Sequence, residues 1–268
     1  MAAILCPRCH KLISADEARC PYCGQIRPGM FGLASRMRKL GLSLDFPHVI
    51  TVVCVGLYVL CLALDPGAIL QTRGLMSILA PSSRASLEAG MTGAYPVLYL
   101  GRWWTVITAI YLHGSLLHIF FNLMWVRQLG PLVGELFGPW RLFAIFTISG
   151  AVGFIASVAM GSAATLGASG SIFGLLAAAI AYGRRRGANL FTRQYLQWAV
   201  LLFIFGLLMP GIDNWAHGGG FVGGYAAAWM FSRAPDEREG IGTYLLAGLC
   251  AVATVLAFLF QFLAAISS

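Results

Sequence analysis

"TLGASGSIFG", residues 165–174, lies in a stretch with no charged residue from Leu142 to Gly183. Gly and Ser are weak helix formers in water, yet here they open what reads as a membrane-crossing helix. Two hydroxyls, Ser169 and Ser171, sit among Gly167, Gly170 and Gly174. Hydrocarbon offers a hydroxyl no partner, so this segment must turn its polar face to protein or to a wet cavity.

The rest of the chain points to the same solvent. Of its 268 residues 59% are hydrophobic and only 10% charged, with mean hydropathy +0.78. A soluble domain carries about 25% charged residues. Seven apolar segments approach the length a span needs, at roughly 47–64, 105–126, 142–160, 163–183, 196–212, 214–232 and 243–266. The pattern predicts an all-α polytopic membrane protein, with no internal repeat. "MAAIL" is too short to serve as the apolar region of a secretory signal before Cys6 arrives.

Charge sets the expected orientation. Fifteen of the 18 Lys and Arg fall before the first span or in the loops on that same side, including Arg127, Arg141, Arg184–Arg186, Arg193, Arg233 and Arg238. Arg73, Arg84 and Arg102 fall on the other side. Basic loops stay in the cytosol, so the N-terminus is expected inside and, after seven spans, the C-terminus outside. The net charge of +8 then reads as a topology signal, and nucleic acid is not an expected partner.

The N-terminal "CPRCHKLISADEARCPYCG" spaces Cys6, Cys9, Cys20 and Cys23 as two Cys-x-x-Cys knuckles. Four thiolates so placed suit a tetrahedral zinc ion, and a head of about 25 residues with almost no apolar core needs a metal to fold. A redox dithiol pair is the alternative, and His10 is an alternative ligand. The expected layout is a cytosolic zinc ribbon at 1–25 and a basic linker at 26–46 lying on anionic lipid of the bilayer. A membrane core at 47–232 follows, then a cytosolic loop and seventh helix at 233–268. A protein partner for the ribbon is possible. Cys54, Cys61 and Cys250 lie in apolar spans and read as packing residues.

Ionisable groups inside spans are functional candidates. Here they reduce to His113, His118 and His217, with Asn122 beside them; Asp and Glu are missing from the middle of every span. Carboxylate metal sites, an aspartyl dyad and carboxylate proton relays are thereby excluded. With the expected topology, Ser169, His217, His118 and Asn122 all fall at one depth, in the outer half of the membrane. His118 and Asn122, four apart, share a helix face. A neutral His can take the proton of a Ser, and His or Asn side chains can stabilise the resulting oxyanion. Ser169 with His217 as base, and His118 with Asn122 as donors, cover the roles of acyl transfer. Gly170 and Gly174, and Gly220 and Gly224, are spaced as Gly-x-x-x-Gly, which lets two helices approach closely. Ser171 is the rival hydroxyl, two residues on and pointing to another face. Small-residue packing and interhelical hydrogen bonding are the bland readings of each feature taken alone.

"HGSLLHIFFN" (113–122), "GASGSIFG" (167–174) and "AHGGGFVGG" (216–224) resemble the three signatures of rhomboid intramembrane serine proteases, in order and spacing. The resemblance covers about residues 47–232. It implies a six-helix core with one added C-terminal helix, a 6+1 arrangement, and a Ser–His dyad in a water-filled cavity open to the outside. Ser169 would be the nucleophile and His217 the general base. His118, Asn122 and the Ser169 N–H would form the oxyanion hole, and His113 would support the site. Transmembrane proteins would be the substrates and a bacterial inner membrane the location. Two positions depart from the family pattern: Thr105 follows Trp104 where Arg is common, and Gly134 stands where a Glu is usual. Asp213, four residues before His217, reads as a solvated loop residue and not as a third catalytic member. A non-enzymatic client-binding relative is the competing reading, although such proteins typically lack the Ser or the His. A small-solute transporter would want broken helices with ion ligands at midplane, and the polar set lies too far out.

Overall fold

The computed structural model describes residues 3–6, 9, 11–14, 17, 19–24, 45–70, 74, 77–232 and 239–267. His10, residues 26–44 of the expected linker, and Arg233 and Arg238 lie outside the described residues. The chain divides into two compact units, Met1–Asp45 and Phe46–Ser268.

The first unit is built on a hairpin. Strand β1 (Ala3–Leu5) pairs antiparallel with β2 (Leu12–Ser14), with Leu5 opposite Leu12. The pairing carries Cys6 straight off β1, where its N–H donates to the Lys11 carbonyl at 2.9 Å. Cys6, Ile13 and Cys20 form its small buried core, with Cys9 and Cys23 packed alongside.

The second unit is helical. In chain order it holds α1 (Phe46–Leu64), the short α2 (Ser83–Ala89) and α3 (Thr105–Thr108), α4 (Leu116–Phe137), α5 (Pro139–Ala159), α6 (Ser169–Arg185), α7 (Asn189–Leu208), α8 (Asn214–Ser232) and α9 (Ile241–Ile266). Five of these, α1, α4, α5, α7 and α9, are long and apolar enough to cross a membrane. The other two long helices are the 17-residue α6 and the glycine-rich α8. They need less hydropathy because their neighbours are protein: α6 is buried from Gly170 to Ala181 and packs on α4, α5, α7 and α8. α9 lies on the other flank, against α2, α3 and α5.

Several span limits differ from the sequence expectation. The second helix begins at Leu116, not near 105, and runs on to Phe137. Residues 105–111 are apolar, so hydropathy includes them, but the helix is started by Ser115, whose Oγ accepts from the His118 N–H at 3.2 Å. The expected polar loop after it shrinks to Gly138, whose φ of +98° turns the chain directly into α5. Arg127 is therefore on α4, and Arg141 is buried in the first turn of α5. The fourth helix starts at Ser169 and not at 163, because residues 161–168 form a loop in which Thr165 bridges to Thr92. The fifth starts at Asn189, so Arg193 also lies on a helix.

Candidate active site

α6 and α8 run parallel in close contact, and glycine is what permits it. A Cβ at Gly170 would lie 3.2 Å from the Ala216 carbonyl oxygen, a Cβ at Gly220 would collide with the Gly170 carbonyl, and one at Gly224 with the Gly174 backbone. The register advances in the same direction along both helices, so their N-termini share one end of the bundle. Ser169 is the first residue of α6 and is half-buried. His217 lies in the first turn of α8 and is 6% exposed.

The His217 ring stacks on Phe173, with centroids 4.3 Å apart and planes at 19°. Phe173 is four residues after Ser169, on the same face of α6, which sets the imidazole one turn from the hydroxyl. Among the described residues no hydrogen bond joins Ser169 Oγ to His217. Such bonds are often long before substrate binds. His217 Nδ1 lies 3.3 Å from Asn214 Oδ1.

α4 brings its N-terminus to the same place. The Gly114 N–H donates to His118 Nδ1 at 3.3 Å, so the neutral ring carries its proton on Nε2. That nitrogen is aimed at Gly167, where a Cβ would come within 2.7 Å of it. Gly167 has φ +126°, a conformation and a clearance that together demand glycine. Asn122 is 6% exposed; its Nδ2 donates to the His118 carbonyl at 2.8 Å, while its buried Oδ1 has no partner among the described residues. His113 precedes α4 and packs edge-on against His118 at 5.2 Å, with both ring nitrogens buried and lacking a close hydrogen-bond partner among the described residues. The first backbone N–H groups of α6, at Ser169 and Gly170, have no intrahelical acceptor, and they present a partial positive charge at this point.

Ser171 is excluded from this cluster by its own bond: it is fully buried and donates to the Phe146 carbonyl on α5 at 2.7 Å. Asp213 needs correcting. It is no solvated loop residue but the cap of α8, accepting from the Ala216 N–H at 3.1 Å through Oδ1 and from the Ser157 hydroxyl through Oδ2. Among the described residues it makes no hydrogen bond to the His217 ring, whose Nδ1 faces Asn214 instead. Asn214 is the residue that sequence reasoning missed; its only signal is its place three residues before His217. Thr105 is buried and bonded to Thr92 Oγ1 (3.0 Å) and the Arg102 carbonyl (2.7 Å). A cavity of about 500 Å³ borders the site, lined by Phe203 and Leu207 of α7 and by Asp213, Asn214 and Trp215.

In the first unit, the sulfurs of Cys6, Cys9, Cys20 and Cys23 all lie within 4.8 Å of one another, with Cys6–Cys23 and Cys9–Cys20 each at 3.6 Å. They could hold a metal ion. Burial alone would raise the Cys20 thiol, but the Tyr22 and Cys23 N–H groups and the neighbouring Cys6 and Cys23 thiols bring it down to about 7.

Comparison with known proteins gives the family. The Rhomboid domain model matches residues 100–234, which include every residue of the cluster around Ser169. The chain is 31% identical over 164 residues to "Rhomboid protease GluP" of Bacillus subtilis, covering 60% of this chain and 32% of that protein. It is 33% identical over 149 residues to "Rhomboid-type serine protease 2" of Emericella nidulans, covering 53% and 29%. It is 28% identical over 165 residues to "RHOMBOID-like protein 1" of Arabidopsis thaliana, covering 59% and 42%. The chain thus spans less than half the length of these relatives. With the domain match extending over half the sequence and three helix N-termini meeting around one serine, this membrane protein belongs to the rhomboid family.

Proposed function

We propose that the chain is an intramembrane serine endopeptidase that hydrolyses peptide bonds in or near the transmembrane segments of membrane proteins, on the outer side of the bilayer. The observation that carries this reading is the meeting of three separately encoded motifs at the N-terminus of α6: His217 stacked one turn from Ser169, and His118 Nε2 turned toward Gly167.

In this reading Ser169 Oγ attacks the scissile carbonyl carbon while His217 Nε2 takes the hydroxyl proton. The carbonyl oxygen becomes an oxyanion facing His118 Nε2–H, the second Asn122 Nδ2 hydrogen and the Ser169 N–H. Collapse of the tetrahedral intermediate breaks the C–N bond, and His217 passes its proton to the departing amine. Water then attacks the acyl-serine with His217 again as base, releasing the carboxylate and restoring Ser169. Substrate segments with small or helix-breaking residues suit this site, since a helix must unwind to present its carbonyl.

Seven spans, with a cytosolic N-terminus and an outer C-terminus in a bacterial inner membrane, are supported by the basic-residue imbalance. Zinc is the metal we assign to the four cysteines. A tetrahedron with Zn–S bonds of about 2.3 Å has S–S edges of about 3.8 Å, near the 3.6 Å of the two close pairs. Its role would be to hold the ribbon folded.

The test uses purified protein in detergent, a fluorescent serine-hydrolase phosphonate and the variants Ser169→Ala and His217→Ala. Labelling of the wild type that disappears in both variants supports an activated serine. Equal labelling of all three, or none in folded protein that also fails to cleave transmembrane segments in liposomes, would favour the client-binding reading.

A further inference from the structure

The acid nearest His217 is already engaged. Asp213 caps α8 and holds Ser157, and the other carboxylate on the helices around the ring, Glu135, sits near the far end of α4. What faces Nδ1 is an amide: Asn214 Oδ1, at 3.3 Å. We propose that Asn214 is a positioning residue for His217, accepting the Nδ1 proton and so fixing the tautomer and ring orientation that free Nε2 for Ser169.

Three observations support the assignment. A carbonyl oxygen only accepts, so at Nδ1 it selects the Nδ1–H form of the neutral imidazole. The Asn214 side chain is itself held in place: on α7, a Cβ at Gly206 would collide with Asn214 Oδ1, so the glycine there makes room for the amide. The opposite restraint is the Phe173 ring, stacked on the imidazole face. A ring fixed both at one edge and on one face has little freedom left in χ1 or χ2. Asn fills this position in the Cys-His-Asn arrangement of other proteases, and a neutral orienting group is cheaper to bury than a carboxylate.

The role of Asn214 rests on the reading of Ser169 and His217 as a dyad, so its test has one arm that needs no activity. The five histidines are labelled with ¹⁵N, and the His217 signals are assigned with a His217→Gln variant. Nδ1–H in the wild type, giving way to a mixture or to Nε2–H in Asn214→Ala, is the expected result. Nε2–H in the wild type, or an unchanged spectrum in Asn214→Ala, overturns the proposal whether or not the protein cleaves anything. In the kinetic arm, Asn214→Ala should lower kcat by about tenfold to a hundredfold with KM nearly unchanged, and the isosteric Asn214→Asp should recover most of that loss. Unchanged kcat in Asn214→Ala, or equal losses in both variants accompanied by a lower melting temperature, would also overturn it. A wild type inert to phosphonate and to substrate would instead refute the dyad, while the ¹⁵N spectrum still decides Asn214.

Discussion

The Trp104 indole N–H donates to Gln261 Oε1 at 3.0 Å, joining the loop before the second long helix to the last helix of the chain. The same Gln261 amide donates through Nε2 to the carbonyls of Leu87 and Glu88, at 3.2 and 2.9 Å, which closes the C-terminus of α2. Gln261 is only 2% exposed. Its polar atoms are satisfied by the loop, and its methylenes pack where Gly90 leaves space. α9 is thus an anchor for the 83–108 segment, through contacts a purely apolar helix could not make.

Gln261→Leu should therefore destabilise the protein by about 1–3 kcal/mol, since it takes the partner from the part-buried Trp104 N–H and Glu88 carbonyl, while the Leu87 carbonyl keeps the Gly90 N–H. Thermal denaturation in detergent measures the loss, and hydrogen exchange should localise it to residues 83–108. A melting temperature equal to that of the wild type would contradict the anchor role.

Two neighbouring glycines should respond in opposite ways. Gly220→Ala places a Cβ on the Gly170 carbonyl, so α6 and α8 must separate. We expect a cost of about 1–3 kcal/mol and loss of phosphonate labelling. Gly218→Ala meets nothing within 4 Å and should be neutral or stabilising by up to about 1 kcal/mol through helix propensity. Parallel melting and labelling of the two variants distinguishes close approach from a general intolerance of α8.

Glu239 carries a pH dependence. Its carboxylate accepts from the Trp140 and Arg141 N–H groups at 2.8 and 2.9 Å, at the N-terminus of α5. Burial nevertheless pushes the carboxyl up, and those N–H groups with the Arg141 charge offset it only in part. A carboxyl raised in the folded state contributes stability that is complete below its ordinary range and fades as pH rises through the raised value. Glu239→Gln keeps an acceptor for the N–H groups and removes the charge. Melting curves from pH 4 to 8 should be flatter for the variant, with an equal or higher midpoint near neutrality.

Removing the metal should act on the first unit alone. A strong chelator, or Cys6→Ser, should abolish binding of one zinc per chain, read by metal analysis, and unfold the ribbon. Labelling at Ser169 should persist, because the helical unit has its own core. Complete loss of labelling in properly inserted protein would show that the ribbon is needed for the site.

The membrane character, the cysteine cluster and the three motifs are legible in the sequence because each depends on composition or on spacing within one segment. Helix ends are not, because hydropathy does not register a cap: Ser115 starts α4 eleven residues after the apolar run begins, and Ser169 opens α6 after an apolar loop. Asp213 and Asn214 show the same limit in the site. Both are polar and both precede His217, and sequence distance ranks neither above the other.

Sequence alone determined that the chain is helical, that it belongs in a bilayer, and which hydroxyl and imidazoles are candidates for chemistry, since these follow from transfer energetics and from residue identity. Tertiary structure decided the pairings. Ser157 and the Ala216 N–H take up Asp213, Asn214 is left facing His217 with Gly206 making room for it, and Phe146 occupies Ser171. Each buried polar group must find a partner where water is absent, and which one it finds depends on helices that are distant in the chain and adjacent only once folded.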